Sequence, residues 1–162
     1  MDSELESLSV QLGKALSERA LTLATAESCT GGWVAELVTD TAGSSGWFER
    51  GFITYSNQSK ADMLGVRMDT LAHFGAVSEE TAQEMAAGAI KFSRADWAIS
   101  ITGIAGPGGG SLGKPVGTVC FAWCRRGAEP ISEIQHFAGD RRAVRRRAVL
   151  YALRGLLQQL GA

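Results

Sequence analysis

Ser28 and Cys29, set between Thr25-Ala26-Glu27 and Thr30-Gly31-Gly32, place a hydroxyl and a thiol directly before a pair of glycines. Residues 21–24 read as a short strand and residues 33–38 as the body of a helix, so the two nucleophiles stand where a strand hands over to a helix. Backbone N–H groups are unpaired at such a turn, and they can stabilise an oxyanion formed beside them. Ser28 is therefore a candidate catalytic nucleophile, although serine before a helix also serves as an ordinary N-cap. Cys29 competes with it, because a helix start lowers a thiol's pKa. Against Cys29, no histidine lies nearby in sequence, and cysteines are often small core residues. Thr30, Gly31 and Gly32 are good anion-facing positions, since glycine lets backbone approach a ligand closely.

A serine nucleophile needs a base. The chain has only two histidines, His73 and His136, far apart and without companion spacing. Lys60 is the other choice. It falls in the first turn of a short expected helix, where a cation opposes the helix dipole. A lysine held there and partly buried has its ammonium form disfavoured and can take the Ser28 proton; otherwise it is a surface lysine. Tyr55, at the preceding strand end, can relay a proton, hold the lysine, or simply form a rim. Thr102-Gly103-Ile104-Ala105-Gly106 ends another strand and is a candidate substrate contact. Gly108 to Lys114 fits G-x-x-x-x-G-K, but Pro115 and a strand follow, so a P-loop is excluded and an exposed rim loop is expected. Arg141 and Arg145 lie one turn apart at the start of the last helix and can reach one phosphate. Arg142, Arg146 and Arg147 read as a solvated face.

These residues need elements to carry them. Leu5, Leu8, Leu12, Ala15 and Leu16 mark an amphipathic helix, with Ser3 and Glu6 as an expected capping box. Strands are expected at residues 21–24, 50–55, 97–101, 116–123 and 131–137, the last two forming a hairpin. Helices are expected at 33–39, 58–64, 69–74, 81–92 after the cap Ser78, and from Asp140 to about residue 160. Strands alternating with helices imply an α/β sheet covered on both faces, and the hairpin makes that sheet mixed. In open α/β sheets ligands bind beyond the carboxyl ends of the strands, which is where Ser28, Lys60 and Thr102 fall.

The totals agree with one domain spanning residues 1–162. Hydrophobic residues make up 45% and charged residues 20%, with a formal net charge of −1, so nothing calls for a nucleic-acid partner. No apolar run approaches the ~20 residues that span a bilayer, and Met1-Asp2-Ser3-Glu4 does not begin a signal peptide. Three cysteines, an odd count, suit reduced thiols in the cytoplasm. No His/Cys metal site is expected. Exposed Trp or helix faces leave room for a homodimer.

Six ordered motifs carry a resemblance over residues 5 to 160. Residues 26–32, 51–57 with Lys60, 75–78, 102–107, 114–119 and 139–141 resemble the CinA C-terminal domain family, in the stand-alone form that lacks the amino-terminal molybdopterin-binding-like domain of longer members. The resemblance implies a three-layer α/β/α sandwich with a mixed, mostly parallel sheet. It implies hydrolysis of the carboxamide of nicotinamide mononucleotide to nicotinate mononucleotide and ammonia, without metal or cofactor. By the same carry-over Ser28 is the nucleophile, with Lys60 and Tyr55 as its partners. Thr102 and Gly103 to Gly106 line the pocket, and Arg141 or Arg145 holds the substrate phosphate. A non-catalytic nucleotide-binding or sensing module of the same fold remains the alternative.

Overall fold

A computed structural model describes residues 2–162. Its elements follow the expected order: α1 (Ser3–Glu18), β1 (Leu23–Glu27), α2 (Trp33–Thr39), β2 (Phe48–Ile53), α3 (Asn57–Leu64), α4 (Met68–Phe74), α5 (Glu79–Lys91), β3 (Trp97–Gly103), β4 (Thr118–Arg125), β5 (Ile131–His136) and α6 (Arg141–Leu160). The strands form one sheet in the order β2-β1-β3-β4-β5. β1 runs parallel to β2 and β3, while β4 is antiparallel to both β3 and β5. The mixed α/β sheet, helices on each face, is the expected architecture.

Period-2 alternation sorts the strand side chains by size. Leu23, Trp97, Ile99, Ile101, Val119, Phe121 and Trp123 face α1, α2 and α6 in one core. Ala24, Ala26, Ala98, Cys120, Ala122 and Cys124 face the opposite way, into a second core with Met85, Ala86 and Ala89 of α5. The small face lets α5 lie close to the sheet, and the Ser100 hydroxyl donates to the Ala82 carbonyl at 2.6 Å. Gly88 continues this close packing: a methyl there would stand 2.0 Å from the Leu64 carbonyl oxygen, so only glycine fits between α5 and α3.

Several boundaries differ from the sequence expectation. β1 continues through Glu27, because residues 25–27 pair with strands on both sides. β2 starts at Phe48 and stops at Ile53, which leaves Thr54 and Tyr55 beyond the strand end. The cap of α1 is Asp2, whose carboxylate accepts from the Leu5 N–H at 3.3 Å, and not the Ser3–Glu6 box. Asp2 also accepts from Arg146 of α6, so its charge serves the helix start and an ion pair together. The reciprocal box lies instead at α3, between Ser56 and Ser59. Ser78 and Asp140 cap α5 and α6 as expected.

Candidate active site

Because β1, β2 and β3 are parallel, their carboxyl ends meet at one edge of the sheet. The first residue past β1 is Ser28, whose N–H donates to the Ile101 carbonyl of β3 at 3.0 Å. That bond fixes the turn against the neighbouring strand and leaves the Ser28 side chain 7% exposed. Past β2 the chain turns at Ser56 into α3, and one turn later Lys60 points back under the strand end.

Lys60 is 1% exposed. Its Nζ lies 3.1 Å from Ser28 Oγ, 3.0 Å from the Thr54 carbonyl and 3.4 Å from the Tyr55 carbonyl. All three partners are neutral, and no carboxylate is among them. Burial therefore lowers the lysine's pKa from its ordinary value. A neutral amine carries two N–H bonds and one lone pair. The two carbonyls can accept both N–H bonds, which leaves the lone pair for the Ser28 hydroxyl proton. Sequence alone located this misfit lysine; the carbonyl pair that orients it is visible only in the fold.

The cavity above the dyad measures about 240 Å³ and is lined by Ser28, Cys29, Tyr55, Lys60, Ala76, Val77, residues 102–106, Gly108, Gly109 and Arg141. Thr102 is a wall anchor: its hydroxyl donates to the Ala76 carbonyl at 2.8 Å. Gly103 stands where a methyl would meet Val119 Cγ2 at 2.8 Å and Cys29 Sγ at 3.1 Å, so glycine is needed for the strand to pass the turn. Arg141 donates to the Gly106 carbonyl at 2.8 Å and to the Tyr55 hydroxyl at 3.0 Å. The Tyr55 phenol is thus on the exposed rim with Arg141, while its carbonyl meets Lys60. Ala76 and Val77 were given no role by sequence reasoning, and Gly108 and Gly109 only that of a rim loop. The 75–78 motif and the glycine run were the signals that marked them.

Other sequence candidates lie on the far side of the same turn. The Thr30 hydroxyl donates to Glu27 Oε1 at 2.6 Å, and the Val34 and Ala35 amides donate to the two Glu27 carboxylate oxygens at 2.9 and 3.1 Å. Glu27 therefore fills the anion position at the start of α2 that Thr30, Gly31 and Gly32 were expected to offer a ligand. Those three residues border a separate hollow of about 310 Å³ with Trp33, Glu36, Arg142 and Arg145. Arg145 donates to the Cys29 carbonyl at 3.0 Å and the Thr30 carbonyl at 3.2 Å, bracing the turn from α6. The Cys29 thiol is buried, and burial together with the Glu27 charge pushes its pKa up to about 12. A thiol so held stays protonated. By contrast, the backbone amides of Cys29 and Thr30 donate to no backbone carbonyl among the described residues. Lys114 is half-buried, and its ammonium donates to the Phe74 carbonyl. The rim loop was expected to leave Lys114 exposed, and it is only half-exposed. Among the described residues no cluster of three His, Cys, Asp or Glu side chains is placed to hold a metal ion, and no helix is long and apolar enough to cross a membrane.

Residues 5–160 match the CinA C-terminal domain. The chain is 62% identical to nicotinamide-nucleotide amidohydrolase PncC of Escherichia coli K12, over 98% of this chain and 96% of that protein. It is 48% identical to the protein of the same name from Enterobacter agglomerans, with the same coverage. The crystal structure of competence/damage inducible protein CihA from Agrobacterium tumefaciens superposes with a TM-score of 0.93 at 44% identity, covering 98% of this chain and 96% of that one.

Proposed function

The chain belongs to the CinA C-terminal domain family, and on that premise we propose that Ser28 and Lys60 hydrolyse the carboxamide of nicotinamide mononucleotide. The products are nicotinate mononucleotide and ammonia, a step in the salvage of pyridine nucleotides. The activity is the one named for the relatives that match nearly the full length of this chain. The observation that carries the mechanism is the 3.1 Å contact between Lys60 Nζ and Ser28 Oγ in a setting without a neighbouring carboxylate.

The steps follow from the proton inventory. Neutral Lys60 accepts the Ser28 proton as Oγ attacks the carboxamide carbon. The amide of Cys29, the residue after the nucleophile, offers a donor to the tetrahedral oxyanion. Protonated Lys60 then gives its proton to the nitrogen, the C–N bond breaks, and ammonia leaves. Water attacks the resulting Ser28 ester; Lys60 takes a proton from that water and returns one to Ser28 Oγ as the acid departs. Arg141, at the mouth of the cavity, meets the substrate phosphate, and Tyr55 holds its guanidinium in place. Thr102 and residues 103–106 shape the wall beside the pyridine ring. Thr30, Gly31, Gly32 and Arg145 support the reaction from behind by keeping the Ser28 turn rigid. The three cysteines are free and buried, which suits a reducing cytoplasm.

The test is to incubate the purified protein with nicotinamide mononucleotide and a chelator, and to measure ammonia and nicotinate mononucleotide. Equal amounts of both products are expected. Binding of the nucleotide without either product would instead support a sensing module.

A further inference from the structure

We propose that Lys114 is a positioning residue of this site: its ammonium clamps the glycine-rich strap of residues 107–114 onto the carboxyl end of α4 and so sets the separation of two cavity walls. The inference rests on the amidase reading of the cavity.

One wall is the segment between α4 and α5, which presents Ala76 and Val77. It is tied to rigid elements from two sides. Thr102 of β3 donates to the Ala76 carbonyl at 2.8 Å, and Thr81 of α5 donates to the Gly75 carbonyl at 2.7 Å. The facing wall is the strap, which presents Gly108 and Gly109. No apolar packing restrains its tip, because Leu112 is wholly exposed there. Its internal contacts are a small turn, with the Ser111 amide donating to the Lys114 carbonyl at 2.9 Å and the Lys114 amide to Ser111 Oγ at 3.2 Å.

The link between the two walls is the Lys114 side chain, whose Nζ lies 2.5 Å from the Phe74 carbonyl oxygen. Phe74 is the last residue of α4, where carbonyls lack intrahelical partners and carry the negative end of the dipole. An ammonium is well matched to that position. The G-x-x-x-x-G-K pattern thus serves a helix carbonyl and not a phosphate. A strap with glycines at 108, 109, 110 and 113 samples many conformations when free, and a substrate that must order it binds more weakly. Once the substrate is seated, the Ser28–Lys60 dyad is unaffected.

The test uses the full chain with Lys114→Met and Lys114→Arg. For Lys114→Met, KM for nicotinamide mononucleotide rises about tenfold, the loss expected for one charge-assisted hydrogen bond. Its kcat changes less than about twofold, and Lys114→Arg restores most of the KM. An unchanged KM, or a fall in kcat with KM intact, overturns the proposal. Hydrogen exchange without ligand separates this proposal from the amidase reading. Amides of residues 108–113 exchange several-fold faster in Lys114→Met even if the wild-type protein releases no ammonia, and equal exchange in the two proteins overturns the clamp.

Discussion

The two sides of the Ser28–Gly32 turn carry similar residues and do different work. Each side has a hydroxyl, glycines and an arginine from the start of α6. On the Thr30 side, the hydroxyl and the α2 amides are bound by Glu27, and Arg145 is engaged by two carbonyls. On the Ser28 side, the hydroxyl meets a lysine whose other partners are two carbonyls. The first set of groups satisfies itself and stiffens the turn. The second leaves the paired Ser28 hydroxyl and Lys60 amine lining a cavity. Both arginines already have partners, so residue type and pairing of the arginines do not separate the two sides; what separates them is whether the hydroxyl is tied to a carboxylate or meets a lysine.

The contrast breaks most completely at the dyad. Ser28→Ala lowers ammonia release by about a thousandfold or more, with nucleotide affinity and melting temperature retained. Lys60→Met lowers it by about 10²- to 10⁴-fold. In the proposed mechanism the neutral lysine is the active form, so log kcat/KM of the wild-type protein is expected to rise with pH until the folded-state pKa, which burial places below the ordinary lysine value. That limb disappears from the residual activity of Lys60→Arg; its persistence there would remove Lys60 as the base. The arginine pair sharpens the contrast next. Arg141→Ala raises KM about ten- to a hundredfold, whereas Arg145→Ala mainly destabilises the fold, by about 1–2 kcal/mol in chemical denaturation. A reversed pattern would exchange the roles of the two sides. Glu27→Gln keeps the shape of the cap but loses its charge, and the transition shifts by about 1–2 kcal/mol. The smallest effect is at Cys29: Cys29→Ala keeps kcat within about threefold, and iodoacetamide reacts slowly with the native thiol.

Strand–helix alternation and capping chemistry were enough to read the sheet, its hairpin and the start of α6, because those signals are local. Lys60 was legible for the same reason: a cation in the first turn of a helix is a misfit visible within a few residues. Glu27 was not, since its partners Thr30, Val34 and Ala35 converge only when β1 extends to its last residue. The division between Arg141 and Arg145 was also hidden. It depends on carbonyls of Gly106, Cys29 and Thr30, at 35, 116 and 115 residues' separation. Tyr55 illustrates a third case. Its position was right for contact with Lys60, yet the contact is made by its backbone while the phenol turns to Arg141.

The small-residue face of the sheet has a mechanical consequence. Alanines, cysteines and Ser100 meet α5 almost backbone to backbone, and such side chains have few rotamers to exchange. That layer behaves as a stiff plate. Thr102 and the Ala76 wall it anchors belong to the plate, so one jaw of the site is fixed in the frame of the sheet. The glycine strap opposite has no such layer behind it: Leu112 at its tip is exposed, and its tie to α4 is the single Lys114 contact with the Phe74 carbonyl.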